Sequence, residues 1–156
     1  MSSPTVTHSL PAHNNRAILS GYVCNYIFKN METQRRILIV DDEPDIREFI
    51  SYSLSRKGYK VFTAPDGKAG YDLAVEHRPH LIILDILMPV MNGYETCRRM
   101  RKNPIFTETR ILFLSALSES YVRELGEQLD ADGYISKPIR IELLLRRVDE
   151  WVKKAG

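Results

Sequence analysis

Cysteine is almost missing from this sequence. Cys24 and Cys97 are the only two among 156 residues, too few for a disulfide framework and without the spacing of a metal-binding cluster. A reducing, cytoplasmic setting is the expectation that follows. Long apolar runs are missing too, since no stretch reaches the roughly 18 consecutive apolar residues that span a bilayer. The nearest, residues 17–28, follows Arg16 but is interrupted by Ser20, Gly21 and Asn25, and no small-residue cleavage site marks it as a signal peptide. Charge of one sign is not in excess either. The formal net charge is +2, and Arg16 and Lys29 are the only charged residues before Met31; from there on, 20 basic residues stand against 20 acidic ones. A balanced domain has no electrostatic footprint for DNA or RNA, so neither nucleic acid nor membrane is an expected partner. Repeats, low-complexity tracts and linkers are also lacking.

What is present suits one hydrophobic core, with 44% hydrophobic and 27% charged residues. Residues 1–33 read as an N-terminal extension, disordered or loosely packed, because termini order poorly unless tied down. Met31 opens a fresh start directly before the regular pattern, and residues 34–156 read as the folded domain. Ile37-Leu38-Ile39-Val40 and Leu81-Ile82-Ile83-Leu84 are continuous aliphatic runs, the signature of strands covered on both faces. Further strands are expected at 59–63, 110–114 and 133–135. Between them, apolar residues at helical spacing predict helices over 44–57, 68–77, 93–102, 119–129 and 139–154. Ile46, Phe49, Ile50, Ser53 and Leu54 form the inward stripe of the first, and Pro44 fits its first turn. Five alternations of strand and helix with short connections predict an α/β fold. It is a flavodoxin-like, doubly wound, five-stranded parallel sheet of order 2-1-3-4-5, with helices on both faces.

In such sheets the chemistry lies beyond the carboxyl ends of the strands. Asp41 and Asp42 follow the first strand, Asp85 the third, Ser115 the fourth and Lys137 the fifth. Converging carboxylates raise one another's pKa unless a cation joins them. A hard divalent ion such as Mg²⁺ takes one or two carboxylates and keeps waters or phosphate oxygens. A metal-bound carboxylate, a lysine and a hydroxyl then surround a place for a phosphoryl group, with Asp85 as the nucleophile. Taken singly, Asp41 also suits a helix cap, Lys137 a solvated turn and Tyr134 a core position.

Together, Asp41-Asp42, Asp85 with the loop Asp85-Ile86-Leu87-Met88-Pro89 and Asn92-Gly93, Ser115-Ala116 and Lys137-Pro138 resemble the receiver domain of two-component response regulators. The resemblance covers residues 35–154. It implies that Asp85 accepts a phosphoryl group from a phosphohistidine on a sensor histidine kinase or a histidine phosphotransfer protein. It further implies Mg²⁺ held by Asp42, Asp85 and the backbone carbonyl of Leu87, with Asp41 acting through water. Lys137 would pair with phosphoryl oxygens, Ser115 would turn to bond one of them, and Tyr134 would be the aromatic switch that follows. Ser115 stands where the family more often has threonine.

Two other chemistries suit this fold less. Mg²⁺-dependent aspartyl-phosphate hydrolases need an acid two residues after the nucleophile, where this chain has Leu87. A nucleotide or flavin site wants backbone N–H groups after the first strand, where Asp41-Asp42-Glu43 would repel phosphate. The expected protein is therefore not an enzyme in its own right but a single-domain phosphoacceptor, or alternatively a phosphorelay intermediate. With nothing after Gly156, its output is expected through a protein-binding face on the fourth helix, fifth strand and fifth helix. Leu87 and Leu117 occupy positions that in this family flank the hydrolytic water, and neither can orient it, so a long-lived phosphoryl group is expected.

Overall fold

The computed structural model describes residues 20–27 and 34–155. Residues 20–27 are helical with exposed side chains and belong to a unit, 1–34, separate from the domain at 35–156. The rest of the expected loose extension at 1–33 lies outside the described residues.

In the domain, β1 (Arg36–Val40), β2 (Lys60–Ala64), β3 (Leu81–Asp85), β4 (Arg110–Ser115) and β5 (Gly133–Ser136) alternate with α1 (Pro44–Arg56), α2 (Gly67–His77), α3 (Gly93–Arg101), α4 (Glu119–Leu129) and α5 (Ile141–Lys154). The strands pair in parallel in the order β2-β1-β3-β4-β5, the expected doubly wound sheet. Because side chains alternate across a strand, each aliphatic run feeds two cores. Leu38, Val40, Ile82, Leu84, Ile111 and Phe113 pack with Ala74, Cys97, Met100, Val122, Leu125 and Leu129 of α2, α3 and α4. Ile37, Ile39, Leu81, Ile83, Leu112 and Leu114 pack with Ile50, Leu54, Leu144, Val148 and Val152 of α1 and α5. Each of these large side chains contributes about 1.5–3 kcal/mol by leaving water.

Three details depart from the expectation. Phe49 is 48% exposed. It lines an open groove with Ile46, Pro138, Ile139 and Lys137 instead of entering the core. The last helix begins at Ile141, because Pro138–Arg140 still belong to the loop that carries Lys137. A short 3₁₀ turn, Pro104–Phe106, is capped by the Asn103 side chain and drops Phe106 into the core.

Gly93 positions the start of α3. A Cβ there would stand 2.0 Å from the Asp85 carbonyl oxygen, so any side chain would push α3 off the end of β3. Among the described residues, no helix is long and apolar enough to cross a membrane.

Candidate functional site

Sheet register brings the site together. Val40 pairs with Leu84, Asp85 with Leu114 and Ser115 with Ser136, so Asp41, Asp85, Ser115 and Lys137 stand at one edge of four adjacent strands. The Lys137 amide donates to the Ser115 carbonyl at 2.8 Å, which ties the loop after β5 to the end of β4.

Asp41 is fully buried and Asp85 is 5% exposed, whereas Asp42 faces solvent. One Asp41 oxygen, Oδ1, accepts the Glu43 amide at 2.9 Å in a local turn. Glu43 is the N-cap residue of α1 and no side chain caps that helix, so Asp41 is not its cap. The Arg47 guanidinium donates to the Asp41 carbonyl at 2.6 Å and fastens α1 to the strand end. Lys137 Nζ lies 2.8 Å from Glu43 Oε1, 2.9 Å from Asp41 Oδ2 and 3.2 Å from Asp85 Oδ2. The Asp41 Oδ2 contact is an ion pair without hydrogen-bond alignment, which leaves that buried oxygen with acceptor capacity unused.

Electrostatics follow from the crowding. Burial, reinforced by the neighbouring Asp41 charge, pushes the Asp85 carboxyl up from 3.8 to about 6 despite Lys137 and the Leu87 amide. Burial would also lower the Lys137 pKa. The hydrogen bond to Glu43 and the close negative charges of Asp41 and Asp85 override it and hold the ammonium above the usual lysine range.

Asp41, Asp42 and Asp85 each offer a carboxylate oxygen, and these lie within 4.8 Å of one another. An all-oxygen donor set, an excess of negative charge and the spare lone pair on Asp41 Oδ2 fit a hard divalent cation. These acids could hold a metal.

Not every expected residue touches this centre. Ser115 is buried at the same edge, but its Oγ accepts the Leu117 amide at 3.0 Å and makes no hydrogen bond to Asp85. Tyr134 is half-buried, and its hydroxyl donates outward to Glu119 of α4, which also pairs with Arg123 at 2.7 Å. Leu87 donates its amide to Asp85 Oδ1 at 3.3 Å, and its side chain is 60% exposed. Glu43 was missed as a site residue. Beside an acidic pair at a helix start it reads as a local cap, and its contact with Lys137 spans 94 residues.

The profile of the response regulator receiver domain family matches residues 37–149. Among curated relatives, the probable transcriptional regulator ycf27 of Galdieria sulphuraria is 39% identical over 78% of this chain and 49% of its own length. The DNA-binding dual master transcriptional regulator RpaA of Synechocystis is 39% identical over 72% and 47%. The chain thus spans about half the length of the curated relatives it matches. Among solved structures, the chemotaxis response regulator CheY4 of Vibrio cholerae superposes with a TM-score of 0.72 at 34% identity, covering 76% of this chain and 99% of that one. The receiver domain of the Francisella response regulator 1452 gives 0.73 at 28% identity, covering 79% and 100%.

Proposed function

We propose, from the premise that the chain belongs to the response regulator receiver family, that Asp85 is its phosphoacceptor. An Asp85 oxygen attacks the phosphorus of a phosphohistidine on a kinase or phosphotransfer protein. The P–N bond breaks, and its electron pair returns to the imidazole nitrogen of the donor. The observation that carries the reading is a carboxylate 5% exposed at the end of a central strand, 3.2 Å from a lysine ammonium and within an acidic triad. With a pKa near 6, Asp85 is ionised and nucleophilic at neutral pH.

In this proposal Asp42, Asp85 and the Leu87 carbonyl would hold Mg²⁺, with Asp41 acting through water. Bound there, it would supply charge neutralisation for the phosphoryl oxygens. Lys137 supplies the opposite clamp from β5. The Ser115 hydroxyl keeps its own proton while accepting from Leu117, so it can donate to a phosphoryl oxygen by turning about χ1. Tyr134, tethered to Glu119 in this structure, is the neighbouring group that responds. The α4–β5–α5 face is then the partner surface, and a cytoplasmic location is part of the same proposal.

The transcriptional activity named for the curated relatives belongs to proteins about twice as long as the matched span. The function proposed for this chain is that of the phosphoacceptor and the face that responds. A hydrolase reading is disfavoured by Leu87, an apolar side chain where an acid would be needed. Incubating the chain with Mg²⁺ and a small-molecule phosphodonor, then reading intact mass, tests the proposal. Wild type gains one phosphoryl group and Asp85→Asn gains none; equal labelling of the two refutes it.

A further inference from the structure

We propose that Glu43 is a positioning residue that competes for Lys137 and sets how far the lysine is available to a phosphoryl group on Asp85. This inference rests on the phosphoacceptor reading above. An ammonium carries three N–H donors, and three carboxylates surround Lys137 Nζ. The distances rank against the acceptor: 2.8 Å to Glu43, 2.9 Å to Asp41 and 3.2 Å to Asp85.

The three partners are not equally able to yield. Asp41 is buried, and its other oxygen is anchored by the Glu43 amide. Asp85 ends a strand buried along its whole length. The Glu43 side chain is 58% exposed, so water replaces the ammonium there at small desolvation cost. A phosphoryl group on Asp85 places several anionic oxygens just beyond its carboxylate. Lys137 gains by turning toward them, and Glu43 is the partner it leaves most cheaply. Glu43 therefore occupies, in the unmodified protein, donor capacity that the phosphoryl group draws on.

The test uses the full chain with Mg²⁺ and beryllofluoride, a phosphoryl mimic, titrated by calorimetry. Glu43→Gln preserves shape and removes the competing charge. Because exposed ion pairs are weak, the expected gain in affinity is about two- to fivefold. In a Lys137→Ala background the Glu43→Gln substitution is expected to change nothing, because its effect runs through the lysine. Glu43→Asp gives a second reading that leaves Lys137 in place. Its carboxylate is one methylene short of Nζ, so it should behave like Gln and not like wild type.

No gain in Glu43→Gln overturns the inference. So does the same gain without Lys137, or wild-type behaviour in Glu43→Asp, since both assign the effect to bulk negative charge. Failure of the phosphoacceptor reading looks different: wild type itself then binds no beryllofluoride, and Asp85→Asn matches it.

Discussion

Replacing Asp85 with asparagine should stabilise the metal-free protein, and by an amount the structure sets. Burial and Asp41 raise the Asp85 pKa from 3.8 to about 6. The fold therefore prefers the protonated carboxyl. That preference stabilises fully below about pH 4 and is lost as pH rises through 6. A shift of this size corresponds to about 3 kcal/mol of stability absent at neutral pH. With the side chain 6% exposed, solvent screening removes little of it. Asparagine keeps the shape without the charge.

Urea unfolding in EDTA at pH 7.5 should then show Asp85→Asn more stable than wild type by up to ~3 kcal/mol, a midpoint higher by roughly 1.5 M. Near pH 3.5 the two curves should converge. Saturating Mg²⁺ should narrow the gap at pH 7.5, because a ligand at a hundred times its Kd adds about 2.7 kcal/mol and the variant lacks one carboxylate for it. Equal stability at pH 7.5, or an offset that does not change with pH, would refute the reasoning that repulsion and desolvation meet at this carboxylate.

Other outcomes are expected from the same geometry. Asp132 is 13% exposed, pairs with Arg101 at 2.9 Å and Arg110 at 2.8 Å, and accepts the Ile111 amide. Asp132→Ala should cost about 1–3 kcal/mol in thermal or urea unfolding, by leaving the Ile111 amide without its acceptor and removing the carboxylate between two guanidinium groups, and a loss under about 0.5 kcal/mol would contradict the network. Loss of the phosphoryl group from Asp85 should be slow in wild type and faster in Leu87→Asn, which can orient a water; radiolabel retention over time reads this, and equal rates would count against it. Amide hydrogen exchange with and without beryllofluoride should differ across residues 115–145, and unchanged protection there would sink the proposed responding face.

Much of this fold is legible in the sequence. The two aliphatic runs at Ile37–Val40 and Leu81–Leu84 mark strands covered on both faces, because only a sheet with helices on both sides buries every residue of such a run. The alternation of five strands and five helices then leaves few topologies. Phe49 shows where periodicity stops. It sits on the apolar stripe of α1, yet the loop after β5 opens a groove beside it, and no local pattern encodes that loop's position. Phe106 is the converse case, a core residue delivered by a 3₁₀ turn too short to carry a period.

The acidic pair, the strand-end aspartate and the lysine could be picked out only together, as residue types at successive strand ends, because a parallel sheet places all such ends on one edge. Local sequence determined that much about the protein. Which carboxylate the lysine meets most closely, and that Glu43 joins them, was decided only by tertiary structure. So was the hydrogen bond that faces Ser115 toward Leu117 and the tether that holds Tyr134 to Glu119. The reason is physical. Secondary structure follows from periodicities over a few residues, whereas an ammonium chooses its partners among groups up to 94 residues away, by distances and exposures that exist only once the sheet has closed its order.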